Sequence, residues 1–297
     1  MLHIIRTVSD LLIDRDSDDS AVLSAGKPIP GGFMSFLQLI IIAIVQGVTE
    51  FLPISSSGHL ILIPKLTEFP DQGPMIDVAV HVGTLAAIIV YFWRDALGLA
   101  RGGLASVGIG KAGVERRLFW WIAIGTIPAV VVGFALKSGG YLESFRSTQL
   151  VAANLIIYGM LLWAADRWGK QIKAYEDLTL KDALLVGLAQ ALALVPGTSR
   201  SGVTMTMARF LGYTRIESAR FSFLLSMPAV MGAGLLAALD LAEATATMQR
   251  DAMIAGALTF FAALATMAFL MRFLRRASMT VFVVYRVALG IALLAFF

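Results

Sequence analysis

The chain carries one polar segment twice, and both copies lie within otherwise apolar sequence. The first copy runs over 46–59 and the second over 190–204. When Gln46 is aligned with Gln190, Ser55 falls on Ser199, Ser57 on Ser201 and Gly58 on Gly202 without a gap. Each copy is an apolar run broken by proline, followed by a hydroxyl-rich loop with glycine. Two interrupted hydrophobic segments in corresponding halves of a membrane protein indicate a binding site near the middle of the bilayer.

The composition is that of a polytopic membrane protein. Hydrophobic residues make up 58% of the 297 residues, charged residues make up 15%, and the mean hydropathy is +0.80. A soluble domain carries about 25% charged residues. Six windows are long enough, or nearly so, to cross a hydrocarbon core, which needs about 20 residues. They are 76–93, 118–136, 150–165, 221–239, 252–270 and 281–297.

Charge and cysteine content exclude several classes of site. The net charge is +4, but the basic residues lie in loops next to the apolar windows, so nucleic acid is not predicted as a partner. The chain has no cysteine, which excludes a disulfide and a thiolate metal site. Residues 1–34 are polar and lack the basic start and apolar run of a signal peptide. We interpret them as an N-terminal extension ahead of a single membrane domain, 35–297.

The distribution of Lys and Arg predicts the orientation of the spans, because cytoplasmic loops carry an excess of both. With six spans and re-entrant motif segments, loops one, three and five are basic and loops two and four are not. The basic loops are 94–117, 167–181 and 272–276. They are therefore predicted to be cytoplasmic, with both termini outside.

This orientation makes the first motif enter from the outer face and the second from the cytoplasm. Each half, about 35–166 and 180–297, then has one re-entrant unit and three spans, and an odd number of spans inverts the halves. An eight-span alternative would put loops of similar basicity on opposite faces. The sequence thus predicts an all-α integral membrane protein with six transmembrane helices plus two re-entrant helix-loop-helix units in an inverted repeat.

Helix geometry favours re-entry. The apolar run over 36–52 gives roughly 25 Å of helix, somewhat short of a full crossing. Pro53 and Pro196 end their helices, and irregular backbone at membrane depth is tolerated only when it is buried in protein or lines a wet cavity. The helices that resume near Gly58 and Gly202 would aim free N–H groups at that cavity. Helix N-termini bind anions.

The first loop holds an acid and a histidine. Gln46 and Glu50 are four residues apart and share one helix face, and a carboxylate inside a membrane is a functional candidate by default. His59 follows Ser55 by four residues and Ser56 by three, so it can face either hydroxyl and act as its general base. The alternatives are a structural Glu50 bonded to the serine loop and a helix-capping His59.

The second loop holds an arginine. The planar guanidinium of Arg200 suits phosphate oxygens, and a salt bridge to Glu50 is the alternative. Hydroxyl donors follow it in the sequence. His81, in the first span, and Gln190, the counterpart of Gln46, are further candidates for lining the site.

These residues resemble the two signatures of the bacterial undecaprenyl-diphosphate phosphatases, also called bacitracin-resistance proteins. The signatures are Gln46-x-x-x-Glu50 with Phe-Leu-Pro-Ile-Ser-Ser-Ser-Gly-His after it, and Pro196-Gly-Thr-Ser-Arg-Ser-Gly-Val-Thr204. The resemblance implies a bacterial inner-membrane enzyme that hydrolyses the terminal phosphate of a C55 polyprenyl diphosphate. It also implies help from a divalent cation (Mg²⁺ or Ca²⁺), an active site open to the periplasmic face, and a homodimer as one compatible assembly.

The resemblance also implies roles for individual residues. Ser56 is the expected nucleophile, with His59 as its base, Arg200 as the clamp on phosphate, and Glu50 orienting His59 or holding the cation with Gln46. Expected phosphate-binding residues are Ser55, Ser57, Ser199, Ser201 and Thr204. Direct attack by water is the alternative mechanism. A polyprenyl-phosphate transporter or flippase is the alternative function, since inverted repeats are typical of secondary transporters.

Overall fold

The computed structural model describes residues 34–60, 69, 72–111, 113–140, 145 and 147–296. Side chains at 57, 60, 137, 233 and 235–243 are outside this description. The extension predicted over 1–34 also lies outside it, apart from Met34. The described ranges are helical and contain no β-strand, which confirms the all-α prediction.

The helices are numbered here in chain order. They are α1 Phe36–Thr49, α2 Ser56–Leu60, α3 Gly73–Tyr91, α4 Trp93–Ser106, α5 Val114–Ser138, α6 Thr148–Trp168, α7 Leu180–Leu192, α8 Arg200–Phe210, α9 Arg215–Glu243, α10 Ala246–Phe273 and α11 Thr280–Phe296. A 3₁₀ turn, Tyr175–Asp177, precedes α7.

Several helices are long and apolar enough to cross a membrane. By length and composition these are Gly73–Tyr91, Val114–Leu136, Thr148–Trp168 and Ala246–Phe273, and α1 and α11 are shorter apolar helices. The window predicted over 221–239 lies in α9, whose 29 residues span about 43 Å. The chain is therefore a multi-pass membrane protein.

The helices of the two halves pack against each other in matching pairs. Helix α1 lies along α10, and its counterpart α7 lies along α5, the counterpart of α10. Helices α3 and α9 contact each other, as do α6 and α11. Helices α1 and α7, which carry the motifs, thus each rest on a helix of the other half.

Small residues allow the motif helices to approach their supports closely. A Cβ atom built on Gly187 of α7 would lie 2.1 Å from the carbonyl oxygen of Gly125 in α5. A Cβ atom on Gly47 of α1 would lie 2.6 Å from the Cβ of Ala262 in α10. Membrane helices associate through such packing, because lipid offers no hydrophobic driving force between them.

A buried carboxylate ties together the ends of several helices away from the two motif loops. Asp166, near the end of α6, accepts from Arg215 Nε at 2.6 Å and from Arg209 Nε at 3.4 Å. The N–H of Met279, just before α11, also donates to it at 2.9 Å. Arg209 is wholly buried and saturates its other donors on backbone carbonyls of the α6–α7 and α8–α9 loops. This charge cluster is structural.

We expect Gly187→Ala to destabilise the protein, because the new methyl group would meet a backbone oxygen that cannot move independently. Overpacking of this kind costs about 1–3 kcal/mol. Gly232→Ala in α9 is the matched control, since a Cβ there meets nothing within 4 Å and alanine favours helix. Thermal unfolding in detergent measures both variants. Equal melting temperatures for the two would show that the α5–α7 contact is not tight.

Candidate active site

The two motif loops share one unusual backbone feature. Ser55 and Ser199, at aligned positions, have φ values of 78° and 71°, and they are the non-glycine residues with positive φ among those described. Helices α2 and α8 begin at the next residue in each case. Such strained conformations persist only where the surrounding structure imposes them, and they cluster at functional sites.

Arg286 of α11 holds both loops. Its side chain is wholly buried and donates to the carbonyl oxygens of Pro53 in the first loop at 3.2 Å and of Gly197 and Thr198 in the second at 3.1 and 3.0 Å. It donates further to two carbonyls of α6. Carbonyls freed by a broken helix need such donors inside a membrane. The guanidinium therefore fixes the two loops relative to each other.

The residue of the first half that corresponds to Arg286 is Asn154, and it supports the loop of the second half. Asn154 is the seventh residue of α6, as Arg286 is of α11. Its amide donates to the carbonyl of Pro196 in the second loop at 2.9 Å. Each half thus supplies a polar side chain that supports the loop of the other half.

The loops bring together the acid of one and the arginine of the other. Arg200 Nη2 donates to Glu50 Oε1 at 2.7 Å. Only 7% of the Glu50 side chain and 19% of the Arg200 side chain are exposed. Because both charges are largely removed from solvent, this pair depends on close geometry, and loss of either partner would leave a buried charge unpaired.

Glu50 also accepts a hydrogen bond from the hydroxyl of Ser56. Ser56 Oγ donates to Glu50 Oε2 at 2.9 Å, and Gln46 Nε2 donates to the same oxygen at 3.1 Å. His81 joins this group, because its Nε2 lies 3.2 Å from Gln46 Nε2 and 3.9 Å from Glu50 Oε2. The carboxylate is thereby placed to accept the proton of Ser56.

His59 has other partners than those expected from spacing. Its Nδ1 lies 2.7 Å from the carbonyl oxygen of Ser55, and its Nε2 lies 2.6 Å from the hydroxyl of Tyr285 in α11. The structure thus pairs Ser56 with Glu50 rather than with His59. The hydrogen-bond partner of His59 Nδ1 is thus the backbone carbonyl oxygen four residues earlier and not a serine hydroxyl.

The hydroxyls of the second loop support Arg200. Thr204 Oγ1 donates to the carbonyl of Arg200 at 2.7 Å and lies 2.6 Å from Ser222 Oγ in α9. Ser201 Oγ donates to the carbonyl of Leu52 in the first loop at 3.1 Å. Both hydroxyls are buried, so in this conformation they brace the loops against each other.

The remaining candidates lie at different places. Ser199 Oγ accepts from the N–H of Gly202 at 3.1 Å and so caps α8. Ser55 is buried at the turn before α2. The side chain of Ser57 is outside the described part of the structure. Both amide atoms of Gln190 are buried without a hydrogen-bond partner among the described residues, and no described contact joins them to Glu50.

One corner of the site has donors suited to a cation that arrives with phosphate. The Glu50 carboxylate is flanked by Gln46, whose Oε1 is buried and has no hydrogen-bond partner among the described residues. Those residues contain no group of three His, Asp or Glu side chains close enough to hold a metal alone. Mg²⁺ is commonly bound through one or two carboxylates plus substrate phosphates. Glu50 and Gln46 fit that mode.

Three residues of the site were not predicted as such: Tyr285, Ser222 and Asn154. Arg286 was also missed, although it lies within the apolar window 281–297, and a charge inside a membrane span is itself a sign of function. The other three are ordinary polar residues in apolar helices, and local spacing does not identify their distant partners.

Known proteins match nearly the whole of this chain. The sequence model of a family described as bacitracin resistance protein BacA matches residues 39–292. A protein of Erythrobacter litoralis named undecaprenyl-diphosphatase is 64% identical over 285 aligned positions, which cover 89% of this chain and 100% of that protein. A protein of Ruegeria pomeroyi with the same name is 48% identical over 268 positions, with coverage of 88% and 98%.

We expect Arg286→Gln to destabilise the protein far more than Asn154→Ala. Glutamine has two N–H donors where arginine has five, so several buried carbonyls would lose their partner at about 1–3 kcal/mol each. Asn154→Ala removes one hydrogen bond. Thermal unfolding in detergent compares the two. A greater loss of stability in Asn154→Ala would refute the central role of Arg286.

Proposed function

The chain belongs to the BacA family of bacitracin resistance proteins, and we propose that it hydrolyses undecaprenyl diphosphate to undecaprenyl phosphate and inorganic phosphate. The reaction regenerates the lipid carrier for cell-envelope polymers. The observation that carries the proposal is the Glu50–Arg200 ion pair with Ser56 bonded to the same carboxylate. It sets a nucleophile, a proton acceptor and a phosphate-binding cation together inside an apolar protein.

The first step is attack by Ser56. Its Oγ forms a bond to the terminal phosphorus of the diphosphate, and its proton passes to Glu50 over the 2.9 Å hydrogen bond. The bond from that phosphorus to the bridging oxygen breaks, and undecaprenyl phosphate leaves. Arg200 leaves its place on Glu50 to hold the phosphoryl oxygens through its planar fork. Sites of phosphoryl transfer act mainly by stabilising the negative charge on the phosphoryl oxygens.

The second step is hydrolysis of the phosphoserine. A water molecule attacks the phosphorus and gives up a proton to His59, and the Ser56–phosphorus bond breaks. Glu50 returns its proton to the Ser56 oxygen, and inorganic phosphate leaves. In the free protein His59 is hydrogen-bonded to the carbonyl oxygen of Ser55 and to the hydroxyl of Tyr285, and it does not contact Ser56. That arrangement suits His59 as the base for water in this step rather than for serine in the first.

A divalent cation, Mg²⁺ or Ca²⁺, is part of the proposal. Glu50 and Gln46 would hold it together with the diphosphate of the substrate. When bound, it would neutralise charge on the phosphate oxygens. An amide oxygen binds a cation less strongly than a carboxylate does, so most of the protein's contribution would come from Glu50.

We also propose the finer architecture of six spans and two re-entrant units in an inverted repeat, in a bacterial inner membrane. Helices α1 and α7 support re-entry, because their 14 and 13 residues give only about 20 Å each. The basic loops support a cytoplasmic location for the α4–α5 and α6–α7 connections. The site then opens to the periplasmic face.

The rival function is a transporter or flippase for polyprenyl phosphate. It is favoured by the matching way in which α1 and α7 pack on a helix of the other half, because repeated halves are typical of transporters. Transport needs a sealed bilayer, whereas hydrolysis does not. Phosphate release in detergent therefore separates the two functions.

We expect the purified protein to release phosphate from C55 diphosphate in detergent, and Ser56→Ala to lower turnover by at least about 100-fold because the nucleophile is lost. Ser55→Ala should reduce turnover and Ser57→Ala should be the mildest of the three. Ser278→Ala, at an exposed hydroxyl before α11 that bonds Thr280, is the matched control. Each protein is assayed with and without a chelator, which should inhibit. Substantial turnover by Ser56→Ala would favour direct attack by water, and no turnover by the wild type would favour transport.

The orientation is tested with single cysteines in this cysteine-free chain. Ile109→Cys, in the exposed α4–α5 connection, should resist an impermeant thiol reagent in intact cells because that connection is cytoplasmic. Gly139→Cys, just after α5, should be labelled. Labelling of the Ile109→Cys variant from outside would overturn the topology.

A further inference from the structure

The protonation of His59 can be read from its two partners. Its Nδ1 lies 2.7 Å from the carbonyl oxygen of Ser55. A carbonyl oxygen can only accept a hydrogen bond. Nδ1 therefore carries a proton, and Nε2 carries the lone pair when the ring is neutral.

The charged groups on neighbouring elements do not hold His59 in its protonated form. Glu50, at the end of α1, is engaged by Arg200 and Ser56, and Arg286 of α11 is engaged by backbone carbonyls. Among the described residues, no carboxylate forms an ion pair with His59. The imidazole is accordingly neutral, so the hydroxyl of Tyr285 donates to Nε2 over 2.6 Å.

This arrangement occupies the only lone pair with which His59 could act as a base. A water molecule cannot give its proton directly to Nε2 while Tyr285 donates to that atom. A phenol hydroxyl, however, is both donor and acceptor. It can receive a proton from water on its oxygen while it passes its own proton to the histidine.

Tyr285 is well placed for such a role. Its ring lies nearly parallel to that of His59, with 6° between the planes and 5.6 Å between the centroids. Its side chain is 43% exposed, whereas the next residue, Arg286, is wholly buried and anchors α11 to both loops. The hydroxyl of Tyr285 is thus held toward His59, while part of the tyrosine side chain stays exposed.

We propose that Tyr285 relays the proton of the attacking water to His59, which makes it a further catalytic residue of this site. In the hydrolytic step the water oxygen forms its bond to phosphorus, and its proton moves to the Tyr285 oxygen. The phenolic proton moves to His59 Nε2 at the same time. The products of the transfer are a neutral tyrosine and an imidazolium, so atoms and charge balance. The inference rests on the proposed hydrolytic function.

The test removes the relay without removing the ring. Tyr285→Phe should keep the stacking on His59 and the wild-type melting temperature but lower kcat by about 100-fold, within the range for lost acid–base catalysis, with KM little changed. Tyr91→Phe is the matched control, because Tyr91 is also a partly exposed tyrosine packed on a neighbouring aromatic ring. It should leave kcat unchanged.

The decisive comparison is with His59. If Tyr285 acts through His59, the His59→Ala/Tyr285→Phe double variant should be as slow as His59→Ala alone, since residues that act as a unit are not additive. A Tyr285→Phe variant with wild-type kcat, or losses that multiply in the double variant, would overturn the relay. A wild-type protein that releases no phosphate would instead refute the proposed function itself.

Discussion

The site depends on a positive charge buried where two interrupted helices meet. Arg286 donates to carbonyls of both motif loops, and among the described residues it has no carboxylate partner. Loops that break a helix at membrane depth expose carbonyls that lipid cannot satisfy, at a cost of several kcal/mol for each such group. The guanidinium of Arg286 donates hydrogen bonds to several of these carbonyls, in both halves. The same contact sets the distance between the loops, and so allows Glu50 of one to meet Arg200 of the other.

The two halves share a scaffold but contribute different chemistry. At the position aligned with Glu50, the second half has Leu194, and at the position aligned with Ser56 it has Arg200. In the proposed mechanism the acid and the nucleophile therefore come from the first half, and the phosphate clamp comes from the second. Neither half holds a complete site. The buried ion pair is consequently also a contact that joins the halves, which couples the assembly of the fold to the assembly of the catalytic group.

Local signals in the sequence predicted the broken helices and singled out residues that the structure brings together, but they did not predict the long-range pairing. Proline, glycine and polar residues inside apolar runs mark Glu50 and Arg200 directly, and the salt bridge between them was one of the alternatives. The pairing of Ser56 was not predicted, because helical spacing leaves His59 a choice of partners. The choice is made by the positive φ of Ser55 and by Tyr285, which is 226 residues away from His59.

The central claim is that Glu50 and Arg200 form one catalytic unit across the two halves. It is tested most directly by a double-mutant cycle on kcat/KM for phosphate release, with Glu50→Gln, Arg200→Gln and both together. Each single change leaves a buried charge without its partner, so the account predicts that the double variant is no slower than the slower single variant. Losses that multiply in the double variant would show that the two residues act independently, and would contradict the account.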